Sequence, residues 1–148
     1  MRIGITGASG MLGTALVSHL SKIHKIFATS RSKGLEGKNI KWSFFDLTDT
    51  MLLNEWLKAV KLDLIIHCAA IINVDDCEDD IELAKKLHIE TTKVIVNYLN
   101  INNGRLIYIS TDSVFDGENQ SAYSETDTVN PLNIYAMTKF LGEKSAQQ

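Results

Sequence analysis

The 148-residue chain has little cysteine and no long apolar run. Its two cysteines, Cys68 and Cys77, lie in different local contexts and form no metal-ligand pattern. They read as reduced thiols of a cytoplasmic protein. The four histidines, His19, His24, His67 and His88, are scattered and suggest no metal site either. No apolar stretch approaches the roughly 18 residues of a membrane span. The N-terminus opens directly on a strand-like segment rather than a signal peptide, so cytoplasm is the expected location. Net charge is −3 with no block of lysine and arginine, which removes the electrostatic footprint of a nucleic-acid or anionic-membrane partner. There is no repeat, low-complexity tract or linker.

What is present is ordinary globular composition, with 45% hydrophobic and 22% charged residues. A chain of this length buries roughly 68–70% of its unfolded surface without help from disulfides or metal. One domain, residues 1–148, is expected. Short apolar runs at Arg2–Thr6, Lys25–Thr29, Ile40–Phe45, Leu62–His67 and Arg105–Ser110 read as strands. Helical spacing marks Met11–Leu20, Met51–Val60, Asp79–Leu99 as one long helix, and Leu132–Ala146. Continuous apolar strands alternating with helices predict an α/β fold, a Rossmann-type doubly wound parallel sheet covered on both faces. The pattern ends on a helix with no later strand. It therefore reads as a fold truncated before its last strands and substrate lobe.

Four groups of residues carry chemistry. Gly7-Ala8-Ser9-Gly10-Met11-Leu12-Gly13 is a G-x-x-G-x-x-G loop between the first strand and the first helix. Gly7 suits a tight turn, Gly10 lets backbone approach a pyrophosphate and Gly13 lets helix and strand pack closely. The phosphates would meet the unpaired N–H groups at the helix N-terminus. Met11 and Leu12 count with these glycines as cofactor-binding residues. After the second strand no acidic residue waits for ribose hydroxyls. Arg31, with Ser30 or Ser32, is placed to meet a 2′-phosphate, which favours NADPH over NADH.

Tyr135 and Lys139 stand at i and i+4, on one face of the last helix. An ammonium beside a phenol favours its ionised form, so such a pair can exchange a proton near neutral pH. Ser110-Thr111-Asp112 ends the fifth strand, on the side of the sheet where open α/β folds bind ligands. A hydroxyl there can hold a substrate carbonyl or simply cap a turn. The acidic cluster Asp75, Asp76, Glu78, Asp79 and Asp80 complements a helix dipole.

With these residues the chain resembles the dTDP-4-dehydrorhamnose reductase family of extended, atypical short-chain dehydrogenases. The resemblance runs from residue 1 to about residue 144. Its most specific stretches are Ser110-Thr111-Asp112-Ser113-Val114-Phe115-Asp116-Gly117, Tyr123-Ser124-Glu125-Thr126-Asp127, Pro131-Leu132-Asn133-Ile134-Tyr135 and Thr138-Lys139-Phe140-Leu141-Gly142-Glu143. It implies a catalytic Thr111–Tyr135–Lys139 constellation. Asp46 and Leu47 would lie beside the adenine. Cys68, Ala69 and Ala70 would line the cofactor near its phosphates and ribose, with Tyr135 and Lys139 also touching it. It further implies NAD(P)H-dependent reduction of the C4 keto group of a dTDP-4-keto-6-deoxy sugar, and a possible homodimer. A sugar-nucleotide epimerase or dehydratase of the same fold is one alternative. A non-catalytic NADP-binding regulatory subunit of methionine adenosyltransferase is another. Ser113 and His88 depart from the family, which usually has tyrosine and asparagine there.

Overall fold

Apolar strands that alternate with amphipathic helices bury both kinds of surface when the strands pair side by side under the helices. The computed structural model describes residues 1–148. In chain order it contains β1 (Arg2–Thr6), α1 (Met11–Leu20), β2 (Lys25–Ser30), β3 (Ile40–Phe44), α2 (Thr50–Val60) and β4 (Leu64–His67). Then follow α3 (Val74–Asp79), α4 (Ile81–Lys85), a π-helical turn (Lys86–Glu90), α5 (Thr91–Asn102), β5 (Arg105–Tyr108), a 3-10 turn (Asp112–Val114) and α6 (Ile134–Ala146). The strands form one parallel sheet in the order β3-β2-β1-β4-β5. This is the Rossmann-type arrangement expected from the alternation. The strand order reverses between β1 and β4, and a crevice opens at such a switch point.

Side chains alternate across each strand, so the sheet serves two cores. Ile3, Ile5, Ile26, Ala28 and Ile66 meet Val17 of α1. Phe27 and Ile65 face the other way, onto Leu53, Trp56 and Leu57 of α2 and Ile95 and Leu99 of α5. β5 is an edge strand, and its Ile107 is 46% exposed. No helix is long and apolar enough to cross a membrane.

The single long helix read from Asp79 to Leu99 is the main correction. Helical backbone begins earlier, at Val74, where the Asn73 side chain accepts from the N–H groups of Asp75 (2.9 Å) and Asp76 (3.4 Å). It breaks at Asp80, whose backbone leaves the helical region and whose carboxylate caps the restart by accepting from Leu83 N at 2.9 Å. The π-helical turn then separates α4 from α5. Short polar side chains compete with the helix for backbone N–H groups, which is why Asn73 and Asp80 each cap a separate piece instead of one continuous helix forming. The last helix starts at Ile134 rather than Leu132, because Asn133 caps it by accepting from Ala136 N at 2.8 Å.

Candidate active site

The chain segments that leave the C-terminal ends of β1, β2, β3, β4 and β5 surround one cleft of about 880 Å³. Its lining includes Gly7, Gly10, Met11, Leu12 and Gly13, then Arg31, then Asp46 and Leu47, then Cys68, Ala69 and Ala70. Eleven of the residues expected to bind a cofactor, drawn from four separate segments, therefore meet in a single cavity.

The glycine loop is shaped by what its neighbours exclude. Gly7 has φ +61°, and a Cβ there would lie 2.8 Å from Ala69 N. Gly13 presses against the Gly7 carbonyl, and a Cβ would come within 2.7 Å of Ala8 Cα. The loop closes with Gly10 N donating to the Gly7 carbonyl at 3.0 Å. Gly10 then begins α1 with no side-chain cap, whereas Asp49, Asn73, Asp80 and Asn133 cap the other helices that start afresh. The first N–H groups of α1 are left for an anion.

Beside the loop, the Ser32 hydroxyl donates to Ser9 Oγ at 2.9 Å, and the Ser30 hydroxyl donates to the Ser32 carbonyl. Arg31 completes this polar end of the cleft. Asp46 accepts from the Thr48 N–H (2.9 Å) and hydroxyl (2.8 Å), and its carboxyl is held below the usual range chiefly by that backbone N–H. Leu47 is buried, and its carbonyl accepts from Thr91 Oγ1 at 3.1 Å. Burial pushes the Cys68 thiol up to about 11, so it is a neutral lining group and not a thiolate.

Thr111, Tyr135 and Lys139 stand beside this cleft and are not in its lining. The link is Ile109, a lining residue whose carbonyl accepts from the Lys139 ammonium. Lys139 is 3% exposed, with Nζ 4.2 Å from the centre of the Tyr108 ring. Burial brings its pKa down to about 8, against the opposing pull of Glu143. The Tyr135 ring meets His88 edge-on at 6.1 Å between centroids. Thr111 caps the 3-10 turn: its hydroxyl oxygen accepts from Ser113 N at 3.2 Å. The adjoining motif stretch braces its own loop. Asp116 accepts from Tyr123 Oη (2.6 Å), Asn130 Nδ2 (3.1 Å) and Glu118 N (3.1 Å), and Phe115 stacks on Tyr123.

Sequence reasoning passed over two buried histidines. His67 Nδ1 lies 2.6 Å from Thr6 Oγ1, its register partner across β1 and β4. Burial, then the Lys139 charge, drives the His67 pKa down to about 3. His88 is likewise lowered to about 4, by burial and then by Lys139. The available signal was a histidine closing an apolar strand, at His67. Reading every position after a strand end as cleft-facing would also have found Ser9, Phe45, Thr48 and Asn73.

A family model described as RmlD substrate binding domain matches residues 1–148. The chain is 30% identical to a dTDP-4-dehydrorhamnose reductase of Salmonella typhimurium, over 99% of this chain and 47% of that one. It is 32% identical to methionine adenosyltransferase 2 subunit beta of Bos taurus, over 97% of this chain and 42% of that one. A solved hypothetical dTDP-4-dehydrorhamnose reductase from Sulfolobus tokodaii has a TM-score of 0.91 and 39% identity, covering 100% of this chain and 52% of that one. The dTDP-4-dehydrorhamnose reductase of Bacillus anthracis, solved in complex with NADP, has a TM-score of 0.81 and 29% identity, covering 99% and 49%. The chain thus spans about half the length of the curated relatives it matches. Matched along its whole length, it belongs to the RmlD substrate binding domain family.

Proposed function

We propose that residues 1–148 form the cofactor-binding domain of an NADPH-dependent reductase acting on the C4 keto group of a dTDP-4-keto-6-deoxy sugar. The observation that carries this reading is the convergence of four strand-end segments on one cleft at the switch point, with the uncapped start of α1 in its wall. The cleft fits a dinucleotide: its volume is in the range of ligand sites, and the Gly7–Gly13 turn leaves no room for a side chain where backbone must approach phosphate. Gly7, Gly10, Met11, Leu12 and Gly13 would hold the pyrophosphate. Asp46 and Leu47 would take the adenine side, and Arg31 with Ser9 and Ser32 a 2′-phosphate. Cys68, Ala69 and Ala70 would flank the ribose.

When bound, NADPH supplies a hydride to the carbonyl carbon. Tyr135 gives its phenolic proton to the carbonyl oxygen, Thr111 orients that oxygen, and Lys139 holds the nicotinamide ribose beside Tyr135. The three relatives named as reductases support this assignment of chemistry. Tyr135→Phe, in the full-length protein, tests it: turnover is expected to fall by roughly 100-fold or more, and unchanged turnover would remove Tyr135 from the reaction.

The methionine adenosyltransferase 2 subunit beta relative favours a second reading, an NADP-binding regulatory subunit. A stoichiometric enzyme partner recovered with the protein, together with no turnover of nucleotide sugars, would select it. We also assign the protein to the cytoplasm, as a homodimer packed through α5 and α6, where Met137 and Leu141 stand exposed on α6. Light scattering on the purified protein reads that state directly.

A further inference from the structure

His88 occupies the π-helical turn between α4 and α5 and is completely buried. Such turns insert a residue into a helix and aim its neighbours differently from a regular α-helix. The ring nitrogens of His88 have distinct partners. Ile71 N donates to Nε2 at 3.0 Å, so Nε2 is a lone-pair acceptor. The remaining ring hydrogen then sits on Nδ1, 2.8 Å from Thr138 Oγ1. Thr138 passes its own hydrogen to the Ile134 carbonyl at 2.8 Å. One directed chain therefore runs from the loop after β4, through the imidazole, into α6.

Both ends of this chain matter for the cleft. Ile71 lines it, and the Ile71 carbonyl is held in turn by the buried Cys77 Sγ at 3.8 Å. Thr138 is the residue before Lys139, and the Tyr135 ring rests edge-on against His88. α6 lies tight against this turn, since a Cβ on Gly142 would stand 2.6 Å from the His88 carbonyl.

We propose that His88 is a positioning residue: as an Nδ1–H imidazole it fastens the Ile71 wall of the cleft to Thr138, and so sets where Tyr135 and Lys139 stand. The significance for catalysis rests on the reading of Tyr135 and Lys139 given above; the linkage itself does not. A cationic His88 would offer Ile71 N no acceptor, and burial together with the Lys139 charge keeps the ring neutral.

The test uses the 148-residue chain and needs no turnover. Nitrogen-15 NMR at pH 7 is expected to show His88 with Nδ1 protonated and Nε2 bare; the opposite tautomer, or an imidazolium, overturns the proposal. Lys139 titration, followed at its side-chain carbons, is the second readout. In His88→Leu and Thr138→Val the ammonium becomes better solvated, and its midpoint is expected to rise at least threefold in proton affinity, with the double variant no different from either single one. His88→Asn keeps an amide within reach of Thr138 but abandons Ile71, so it should shift less and serves if His88→Leu does not fold. Folded variants that lose stability while Lys139 titrates as before would reduce His88 to a packing residue. Because Tyr135→Phe reads the reaction and these readouts do not, the two assignments fail separately.

Discussion

Replacing Lys139 by methionine separates what this side chain does for the fold from what it does for the site. The lysine is 3% exposed, and burial holds its pKa at about 8 against an ordinary 10.5. The unfolded chain therefore binds this proton more tightly than the folded chain, and folding stability rises with pH between about 8 and 10.5. Below that window the full cost applies, which amounts to about 3 kcal/mol at pH 7. Methionine has a similar length and no charge, so Lys139→Met is expected to be more stable than the parent at pH 7 by about that amount. For a chain of this size that raises Tm by roughly 6–12 °C. At pH 10.5 the difference should nearly vanish, and taking it between two proteins at each pH cancels the opposite titration of Tyr108, which burial raises in both. Urea denaturation at pH 7 and pH 10.5 is the assay. A variant less stable than the parent at pH 7, or a difference that does not change with pH, would refute a buried, destabilising ammonium.

The buried histidines give the complementary acid-side behaviour. His67 and His88 are held at about 3 and about 4 against 6.5, so stability present above pH 6.5 is lost as pH falls, by about 2 kcal/mol for each at pH 5. Chemical denaturation at pH 7 and pH 5 checks this, and equal stabilities would contradict it. At the other end of the cleft, Arg31→Ala is expected to weaken NADPH binding roughly tenfold or more, the worth of a hydrogen bond to a charged group, while leaving NADH nearly unchanged. Equal loss for both dinucleotides in fluorescence titrations would remove Arg31 from the 2′-phosphate.

The fold was legible because the strands are buried on both faces. Runs such as Ile3–Thr6 and Ile65–His67 have no polar alternation, and that fits a parallel sheet under helices on both sides. The glycine loop was legible for a local reason, since Gly7 and Gly13 face steric demands that lie within a few residues or across one strand pair. What could not be read was set by contacts distant in sequence. The apolar spacing from Asp79 to Leu99 is nearly continuous and reads as one helix, whereas Asn73 and Asp80 cap separate pieces. His88 stands out in the sequence only as a departure from the family, because its partners, Ile71 and Thr138, are 17 and 50 residues away. At Thr111 the sequence leaves a carbonyl-holding and a turn-capping role open; its hydroxyl oxygen caps the next turn by accepting from Ser113 N, and a hydroxyl can still donate. The motif run through Asp116 and Tyr123 likewise braces a loop.

If the segments after β1 to β4 build the proposed NADP(H) site, residues 1–148 suffice to bind the dinucleotide. Calorimetric titration of NADPH into the 148-residue protein tests it most directly. Saturable binding of about one NADPH per chain, tighter than NADH, is the expected result. Absence of binding by a folded protein up to millimolar NADPH would contradict an NADP(H) site at these strand ends.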